Sequence, residues 1–432
     1  MAAINNFVLE IREKITIGDL PEGGALPYKS GVLRFLRIFR EVDDVRLKGM
    51  VEYPLEEIVL IAFLAVLGNA ATWTEIARFG KVKEQWLKKF LKLKNGIPSH
   101  DTFRRVFGLI DTEQLNKLTV LFLEENFAAI KNALNIKDSG YRHICIDGKE
   151  QRGTGRKYGT DEKIKNLQTL HVYDASNEIC LFSKAIDKKT NEIPVARDII
   201  SQMNLKQCIV TFDALHTQKD TINLIVLRGG DYVGGLKGNQ GNLEEEAKDT
   251  FTDDWLESLH DTESYYETVE KARSQMETRK YYISKVYPKH TCAKGWKKLK
   301  NFICYIKHTV NLVTGKTTFE TRYYLTSLSD VNLCAQAIRG HWAIENKLHF
   351  HLDYSLYEDD NTTMDKSAFN NLSILNKMVL SLCKLAKPLL GDHSIRSTRK
   401  VFGWEYEQAL STLLRAFDNE TLIKAMEMKT NK

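Results

Sequence analysis

The hydrophobic period of the sequence changes near residue 140, and this change sets the fold class. Before it, apolar residues recur at helical spacing, whereas after it short apolar runs alternate with helical segments. The run at 208–213 is nearly continuous in apolar residues, as in a strand that is buried on both faces of a sheet. The order of elements from 141 to 236 reads β-β-β-α-β-α-β. This order predicts an α/β fold, a mixed sheet with flanking helices.

The residues before this change predict an all-helical N-terminal region. Pro54 suits the first turn of a helix at 55–68, and Ser99 can cap a helix that ends near 110. A longer helix is expected at 111–134. Short helices with tight turns and basic surface residues are compatible with helix-turn-helix DNA binding. They are equally compatible with an ordinary helical bundle, because the helix-turn-helix has no short diagnostic motif.

A β-rich stretch interrupts the α/β pattern between about 263 and 325, and a helix from about 330 resumes it. We therefore expect five regions, as follows: a helical N-terminal domain that is a candidate for DNA binding, 1–138; the first part of the α/β core, 139–240; a β-rich insertion, 241–326; the second part of the core, 327–390; and a helical C-terminal tail, 391–432.

Charge and cysteine usage restrict the environment and the partners. The net charge of +6, with an isoelectric point near 8.7, permits a nucleic-acid partner. The seven cysteines are scattered without a C-x-x-C pair, which argues against a disulfide framework and against a structural zinc site. The first ten residues do not resemble a secretory signal, and the longest apolar run, 58–67, is about half of a membrane span. We expect a cytoplasmic protein with no membrane partner, associated with the nucleoid when it binds DNA.

The stretch at 339–353 contains a glutamate in an unexpected place. On a helical wheel one face collects the following residues: Ile338, His341, Trp342, Leu348, His349 and Leu352. Glu345 lies in the middle of this face, where an apolar residue is expected. A carboxylate turned towards a core is costly unless it is paired, protonated or bound to a metal. The sequence therefore predicts a partner for Glu345.

Two aspartates can supply that partnership. Asp147 and Asp213 each end a predicted strand, and the carboxyl ends of strands are where sites form in α/β sheets. If Glu345 lies on a helix that faces the sheet, the three carboxylates converge, and they cannot all be ionised without a compensating cation. Hard oxygen ligands suit Mg²⁺ or Mn²⁺, and two such ions can clamp the attacking and leaving oxygens of a phosphoryl transfer.

Short motifs in a fixed order cover most of the chain, from about 33 to 390. They are Tyr53-Pro-Leu, Gly96-Ile-Pro-Ser-His-Asp-Thr-Phe103, Ile146-Asp-Gly-Lys149, Gln151-Arg-Gly153, Leu170-His171, Lys189-Thr-Asn-Glu-Ile-Pro194, Thr211-Phe-Asp-Ala-Leu-His-Thr-Gln-Lys219, Asp231-Tyr-Val, Leu236-Lys-Gly-Asn-Gln240, Arg322-Tyr-Tyr324, Arg339-Gly-His-Trp-x-Ile-Glu-Asn-x-Leu-His349, Leu352-Asp353 and Glu358-Asp359. Together they resemble the DDE-type insertion-sequence transposases of the H-repeat-associated kind.

This resemblance implies a ribonuclease H-like core whose catalytic acids and metal ligands are Asp147, Asp213 and Glu345. It implies two Mg²⁺ or Mn²⁺ ions per active site, with Asp147 bridging both and the other two acids each completing one. It further implies a DNA transposase that binds terminal inverted repeats and catalyses phosphodiester cleavage and strand transfer. Its partners would be double-stranded DNA, as transposon ends and target, in a homodimer or larger assembly. Two alternatives remain open, a metal-dependent DNA nuclease without strand transfer and a domesticated, non-catalytic DNA-binding protein.

Nine further residues are candidates for DNA contact. They lie in a glycine-rich basic loop, at a strand end near the aspartates and on the glutamate helix: Lys149, Arg152 and Arg156; Lys237, Asn239 and Gln240; Arg339, Trp342 and His349. The loop residues can instead be solvated, the strand-end residues can instead form a turn, and Trp342 can instead pack in the core. His349 can instead orient Glu345, and Trp342 can stack on a displaced base.

The helix also departs from more distant transposases, and it carries rival acids. Those relatives have Tyr, Arg and Lys at fixed offsets from the glutamate, where this chain has Ile338, His341 and Leu352. The roles of those three residues are therefore not carried over. The rival third acids are Asp353, Glu358, Asp359 and Asp360. Glu345 is preferred because Asp353 is off the inward face and the other three form a solvated helix end.

Overall fold

The computed structural model describes residues 29–133, 140–155, 166–186, 191–287, 291–386 and 394–404. Its strands within these ranges are β1 (Arg142–Gln151), β2 (Leu167–Asp174), β3 (Ile179–Ile186), β4 (Cys208–Phe212), β5 (Asp231–Leu236), β6 (Tyr265–Ala272), β7 (Gln275–Lys285), β8 (Asn301–Asn311) and β9 (Thr317–Thr326). Its α-helices are α1 (Lys29–Phe39), α2 (Leu55–Leu67), α3 (Trp73–Val82), α4 (Glu84–Leu87), α5 (His100–Leu109), α6 (Thr112–Ala133), α7 (Glu192–Gln202), α8 (Lys219–Leu227), α9 (Gly241–Thr250), α10 (Asp253–Leu259), α11 (Val331–His341), α12 (Phe350–Tyr354), α13 (Lys366–Ala386) and α14 (Ile395–Trp404).

The described part of the N-terminal region is helical, as predicted. Helix α2 is the central element, since every residue in it except Glu56 is buried. A helix that is apolar all round suits this position, because its neighbours cover each of its faces. Ser99 caps α5 by accepting from the backbone N–H of Thr102. The predicted helices at 55–68 and 111–134 are confirmed within one residue at each end.

The strands form one mixed sheet in the order β3-β2-β1-β4-β5-β9-β8-β7-β6. Strands β1, β4 and β5 are parallel, and the remaining pairs are antiparallel. The predicted mixed α/β fold is confirmed. The expectation that the first strand ends at Asp147 is wrong, because the register of β1 with β2 continues from Asp147↔His171 to Gln151↔Leu167.

The β-rich stretch extends the same sheet. Strand β9 pairs with β5 from Val233↔Thr326 to Leu236↔Tyr323, and β8, β7 and β6 follow as an antiparallel ribbon. The stretch therefore shares its backbone hydrogen bonding with the α/β core. The five region boundaries and the ribonuclease H-like assignment of the core remain predictions.

A helix with a π-helical turn crosses this sheet and carries Glu345. Helix α11 leads through Trp342 and Ala343 into a π-helix, Ile344–His349, which continues directly into α12. A π-turn holds one residue more than an α-turn and often occurs at functional sites. The prediction that Glu345 lies in the middle of a buried face is wrong, because Glu345 is exposed. The wider turn changes the helical phase on which that prediction depended.

Helix α13 joins the helical region to the sheet. It packs against α5, α6 and β3. Its buried Asn371 donates through Nδ2 to the carbonyl oxygens of Phe107 and Ile110, at 2.7 and 2.9 Å. These bonds satisfy carbonyls near the end of α5 that have no partner inside that helix. None of the helices described is long and apolar enough to cross a membrane.

Candidate active site

Asp147, Asp213 and Glu345 line one cavity of about 610 Å³. The cavity lies beside the carboxyl ends of β4 and β5, and α11 with its π-helical continuation forms one wall. Crevices at this edge of a parallel sheet segment are the usual position of α/β sites. The structure thus brings the three acids of the sequence analysis to one open space.

Asp147 is the most buried of the three carboxylates. Its side chain is 21% exposed, and its Oδ1 accepts from the backbone N–H of Gly148 at 2.9 Å. Burial, then the negative charges of Asp213 and Glu345, raise the pKa of Asp147 to about 7. The charges of Asp213 and Glu345 therefore add to the effect of burial, and together they favour the protonated form of Asp147 up to about neutral pH.

The loop after Asp213 is fixed by amide side chains. Asn239 donates through Nδ2 to the carbonyl oxygen of Ala214 at 2.5 Å, and Gln240 donates through Nε2 to that of Thr217 at 2.8 Å. These two amides stabilise the loop that presents Asp213. These hydrogen bonds support the turn-forming alternative for Asn239 and Gln240, and the DNA contact expected of them stays a prediction.

The helix that presents Glu345 is anchored by a buried hydroxyl. Thr211 Oγ1 lies 3.0 Å from His341 Nδ1 and 2.9 Å from His143 Nε2. A Cβ at Gly340 would lie 2.6 Å from the His143 ring, so only glycine allows this approach. Neither Thr211 nor His143 was singled out from the sequence. The signal that could have found Thr211 is one hydroxyl in an otherwise apolar strand, β4.

Lys149 does not face solvent. It is buried, and its Nζ lies 2.5 Å from Asp353 Oδ1, 3.5 Å from Asp359 Oδ1 and 3.2 Å from Gln151 Oε1. This buried ion pair does not fit the phosphate contact expected of Lys149, because a lysine that binds DNA must reach the surface. Arg152 is exposed, with its Nε 4.0 Å from Asp359 Oδ2. Arg156 lies outside the described residues.

Of three other candidates, two line the cavity and one lies outside it. Lys237 is exposed and lines it. Trp342 is half-buried at its wall, with the guanidinium of Arg322 5.1 Å above the ring centroid. Arg339 is half-exposed outside it, and its Nη2 lies 3.3 Å from Glu270 Oε2. Lys237 and Trp342 therefore remain accessible from the space that the acids share.

His349 points inwards from the glutamate helix. Its side chain is 12% exposed, with Nδ1 3.8 Å from Asp147 Oδ2 and Nε2 2.9 Å from His171 Nδ1. Burial, with the charge of Lys149 nearby, lowers the pKa of His349 to about 3, so the ring is neutral. This position does not fit the phosphate contact expected of His349. The ring faces Asp147, whereas the alternative prediction named Glu345 as its target.

The rival acids are occupied elsewhere. Asp353 and Asp359 bind Lys149. Glu358 is buried, and its Oε1 accepts from Ser373 at 2.6 Å and from Asn376 at 3.1 Å. These contacts support the choice of Glu345 over Asp353, Glu358 and Asp359, and the expectation that Glu358 is solvated is wrong because it is buried. Asp360 is exposed, as expected, and does not line the cavity.

The donor set at the cavity fits a hard divalent cation in its chemistry, since it consists of carboxylate oxygens. Burial and the negative charges of Asp213 and Glu345 raise the pKa of Asp147, and a bound cation would offset both effects. The geometry is open, because no group of three or more His, Cys, Asp or Glu side chains in the described part of the chain is close enough to hold a metal ion. The three carboxylates have the right charge for a divalent cation, but their side chains would have to move closer together to bind it.

Comparisons with known proteins give a consistent picture. A family model described as "Transposase DDE domain" matches residues 138–382, and a model described as "DDE_Tnp_1-associated" matches 36–123. The protein named "Putative transposase YncI" of Escherichia coli O157:H7 is 30% identical over 357 residues, which are 81% of this chain and 87% of that protein. The "H repeat-associated putative transposase YhhI" of Escherichia coli K12 is 29% identical over 325 residues, 74% of this chain and 82% of that protein.

A solved structure of the piggyBac transposase synaptic complex with hairpin DNA also matches. The match covers 94% of this chain and 81% of that one, at 12% identity and a TM-score of 0.38. A similarity this low carries no argument about fold or function.

Proposed function

Because the chain belongs to the transposase DDE domain family, we propose that it is a DNA transposase of an insertion sequence, which binds terminal inverted repeats and cuts and rejoins DNA. The observation that carries this proposal is the convergence of Asp147, Asp213 and Glu345 on one cavity. The raised pKa of Asp147 supports it, since perturbed acids cluster at functional sites.

In this proposal Asp147, Asp213 and Glu345 hold two Mg²⁺ or Mn²⁺ ions. When bound, the ions supply charge neutralisation and Lewis acidity for phosphoryl transfer. The chain prepares the acids by separate means: Gly148 binds Asp147, the loop held by Asn239 and Gln240 presents Asp213, and Thr211 anchors the helix of Glu345.

DNA is the proposed substrate of this cavity. Lys237 and Arg322 line it together with the acids, and cationic side chains at such a place hold a phosphate backbone. Arg152 is exposed at the start of a short 3₁₀ helix, Arg152–Gly155, that follows β1. Trp342 offers part of its ring at the wall and would stack on a base. We further propose a homodimer or larger assembly in the cytoplasm, because two transposon ends must be brought together.

The test uses the DNA that flanks the gene as substrate. A plasmid carrying both flanks is incubated with the purified full chain, Mg²⁺ and a target plasmid, and the joined products are sequenced. We expect Mg²⁺-dependent cleavage and joining of 3′ ends to the target. Asp147→Asn, Asp213→Asn and Glu345→Gln should each lower both activities at least about 100-fold, because each removes a charged ligand of the phosphoryl-transfer site. Binding of the end DNA in EDTA should be unchanged.

Asp360→Asn is the matched control, since Asp360 is an exposed acid of the same segment that does not line the cavity. It should keep full activity. Cleavage without joining would identify a nuclease instead, and DNA binding without cleavage would identify a non-catalytic protein. Full activity of Asp147→Asn would refute the assignment of the acids.

A further inference from the structure

A line of three side chains runs from the cavity into the protein. Asp147 lies at the cavity, His349 lies behind it, and His171 lies behind His349. His171 is fully buried on β2, directly opposite Asp147 in the β1–β2 register. The three groups therefore come from two adjacent strands and from the π-helical turn that carries Glu345.

One unpartnered atom determines where the protons of this line sit. His171 Nε2 is buried and has no hydrogen-bond partner among the residues that the structure describes. A buried N–H without a partner is costlier and rarer than a buried acceptor without one, so the proton of His171 belongs on Nδ1. That N–H points at His349 Nε2, 2.9 Å away.

The proton of His349 follows from this arrangement. Two ring nitrogens 2.9 Å apart share one hydrogen, and since His171 provides it, His349 Nε2 is the acceptor. The remaining proton of the neutral His349 ring is then on Nδ1, which faces Asp147 Oδ2 at 3.8 Å. This separation exceeds a hydrogen bond, and contacts of this kind often tighten when the site is loaded.

We propose that His349 is a positioning residue for Asp147, and that His171 holds it in the Nδ1–H form. The Gly148 N–H binds Oδ1 of Asp147 from one side. The His349 N–H faces Oδ2 at 3.8 Å on the other side, and in the loaded site it would close on Oδ2 and hold the carboxylate at its second oxygen. The inference rests on the proposed function, because it assigns Asp147 to a cation site.

The proton positions can be measured without DNA or metal. Full-length protein labelled with ¹⁵N-histidine is studied by NMR, and the His349 and His171 signals are assigned from their loss in His349→Phe and His171→Phe. We expect both rings to be neutral with the proton on Nδ1. A proton on Nε2 of His171, or a doubly protonated His349, would overturn the proposal whatever the protein's activity.

The consequence for the site is measured as Mn²⁺ affinity in calorimetry. Residues that orient a metal ligand typically contribute about 10–100-fold to affinity. We expect losses in this range for His349→Phe and His171→Phe, substitutions that keep a ring but remove the N–H. The control is His351→Phe, because His351 lies on the same helix and contacts Ser355, with Nδ1 3.1 Å from Oγ. Its Mn²⁺ affinity should equal that of the wild type, and all variants should bind end DNA normally in EDTA.

The outcomes separate this inference from the proposed function. If Asp147→Asn abolishes Mn²⁺ binding while both His→Phe variants bind as tightly as the wild type, the positioning role is refuted and the metal site stands. If His349→Phe lowers DNA affinity in EDTA instead, His349 is a DNA contact. A wild-type protein that binds no Mn²⁺ overturns the cation site and this inference with it.

Discussion

The folded structure opposes the ionisation of the Asp147 carboxyl group. Its backbone neighbour Gly148 stabilises the charged form, whereas burial and the charges of Asp213 and Glu345 oppose it more strongly. A site that binds cations gains from this arrangement, because the cation removes a repulsion already present in the empty site. The cost falls on stability in the absence of metal.

A pH-dependent stability follows for metal-free protein. The pKa of Asp147 is raised from 3.8 in an unperturbed chain to about 7 in the folded state, so the folded state holds a proton that the unfolded chain releases. Its contribution to stability is therefore present below about pH 4 and is lost as the pH rises to about 7. At about 1.36 kcal/mol per pKa unit, the loss is at most about 4 kcal/mol.

The measurement is thermal unfolding in EDTA between pH 4 and pH 8. Asp147→Asn should be more stable than the wild type at pH 8, and this advantage should shrink towards pH 4. Mg²⁺ should raise the melting temperature of the wild type more than that of the variant. Asp360→Asn serves as the exposed control. An advantage of Asp147→Asn that is equal at both pH values would contradict the environment described for this carboxyl.

At the scale of elements, the π-helical turn Ile344–His349 sets the spacing between two side-chain contacts that fix the helix to the sheet. Before the turn, His341 contacts Thr211 on β4, and at the last residue of the turn, His349 contacts His171 on β2. Glu345 lies between them and reaches the cavity. An α-helix of the same length would place one of the two histidines off its partner, because each residue turns an α-helix by about 100°.

Deletion of Asn346 tests the function of this turn. Asn346 is exposed, and its removal should convert the π-turn into an α-turn, which keeps the two halves of the helix in phase but removes the local widening beside Glu345. Cleavage should fall at least about 100-fold, since precise placement of catalytic groups is worth factors of this size, while circular dichroism and end binding stay normal. Asn346→Ala, which keeps the number of residues in the turn, should remain active. Full activity of the deletion variant would show that the extra residue is dispensable.

For the whole molecule, one buried arginine connects distant segments. Arg399 on α14 donates to the carbonyl oxygen of Val66 at 3.1 and 2.6 Å, to that of Ala70 at 3.1 Å and to that of Ser355. It therefore joins the end of α2 to the end of the helix that carries Glu345. Its burial lowers its pKa to about 10, so it remains charged at neutral pH.

Arg399→Ala should lower the free energy of unfolding by about 3 kcal/mol or more, because it removes a buried donor shared by three carbonyl groups and opens a cavity. Urea denaturation measures this change. Lys400→Ala, at the next position and only half-buried, should change stability by no more than about 0.5 kcal/mol. Equal stability of the two variants would mean that Arg399 does not hold these segments together.

The sequence by itself determined much of this protein. Its periodicity and caps predicted the helices at 55–68 and 111–134, a strand through Asp147 and a strand that ends before Asp213, because these signals are local. Asp147, Asp213 and Glu345 were predicted to form one site from expected strand ends and from motifs, and the structure places all three at one cavity although β1 does not end at Asp147. The extension of β1 to Gln151 was not predicted, since it depends on pairing with β2.

Only the tertiary structure decided how the surrounding side chains are used. Lys149 was expected at DNA and instead binds Asp353, and Asn239, also expected there, holds the loop after Asp213. Glu345 was expected in a buried face and instead opens onto the cavity. A polar side chain takes the partner that folding brings near it, and that partner lies far away in sequence. Residue type and spacing predict which group is present, and the packing of strands and helices selects what it binds.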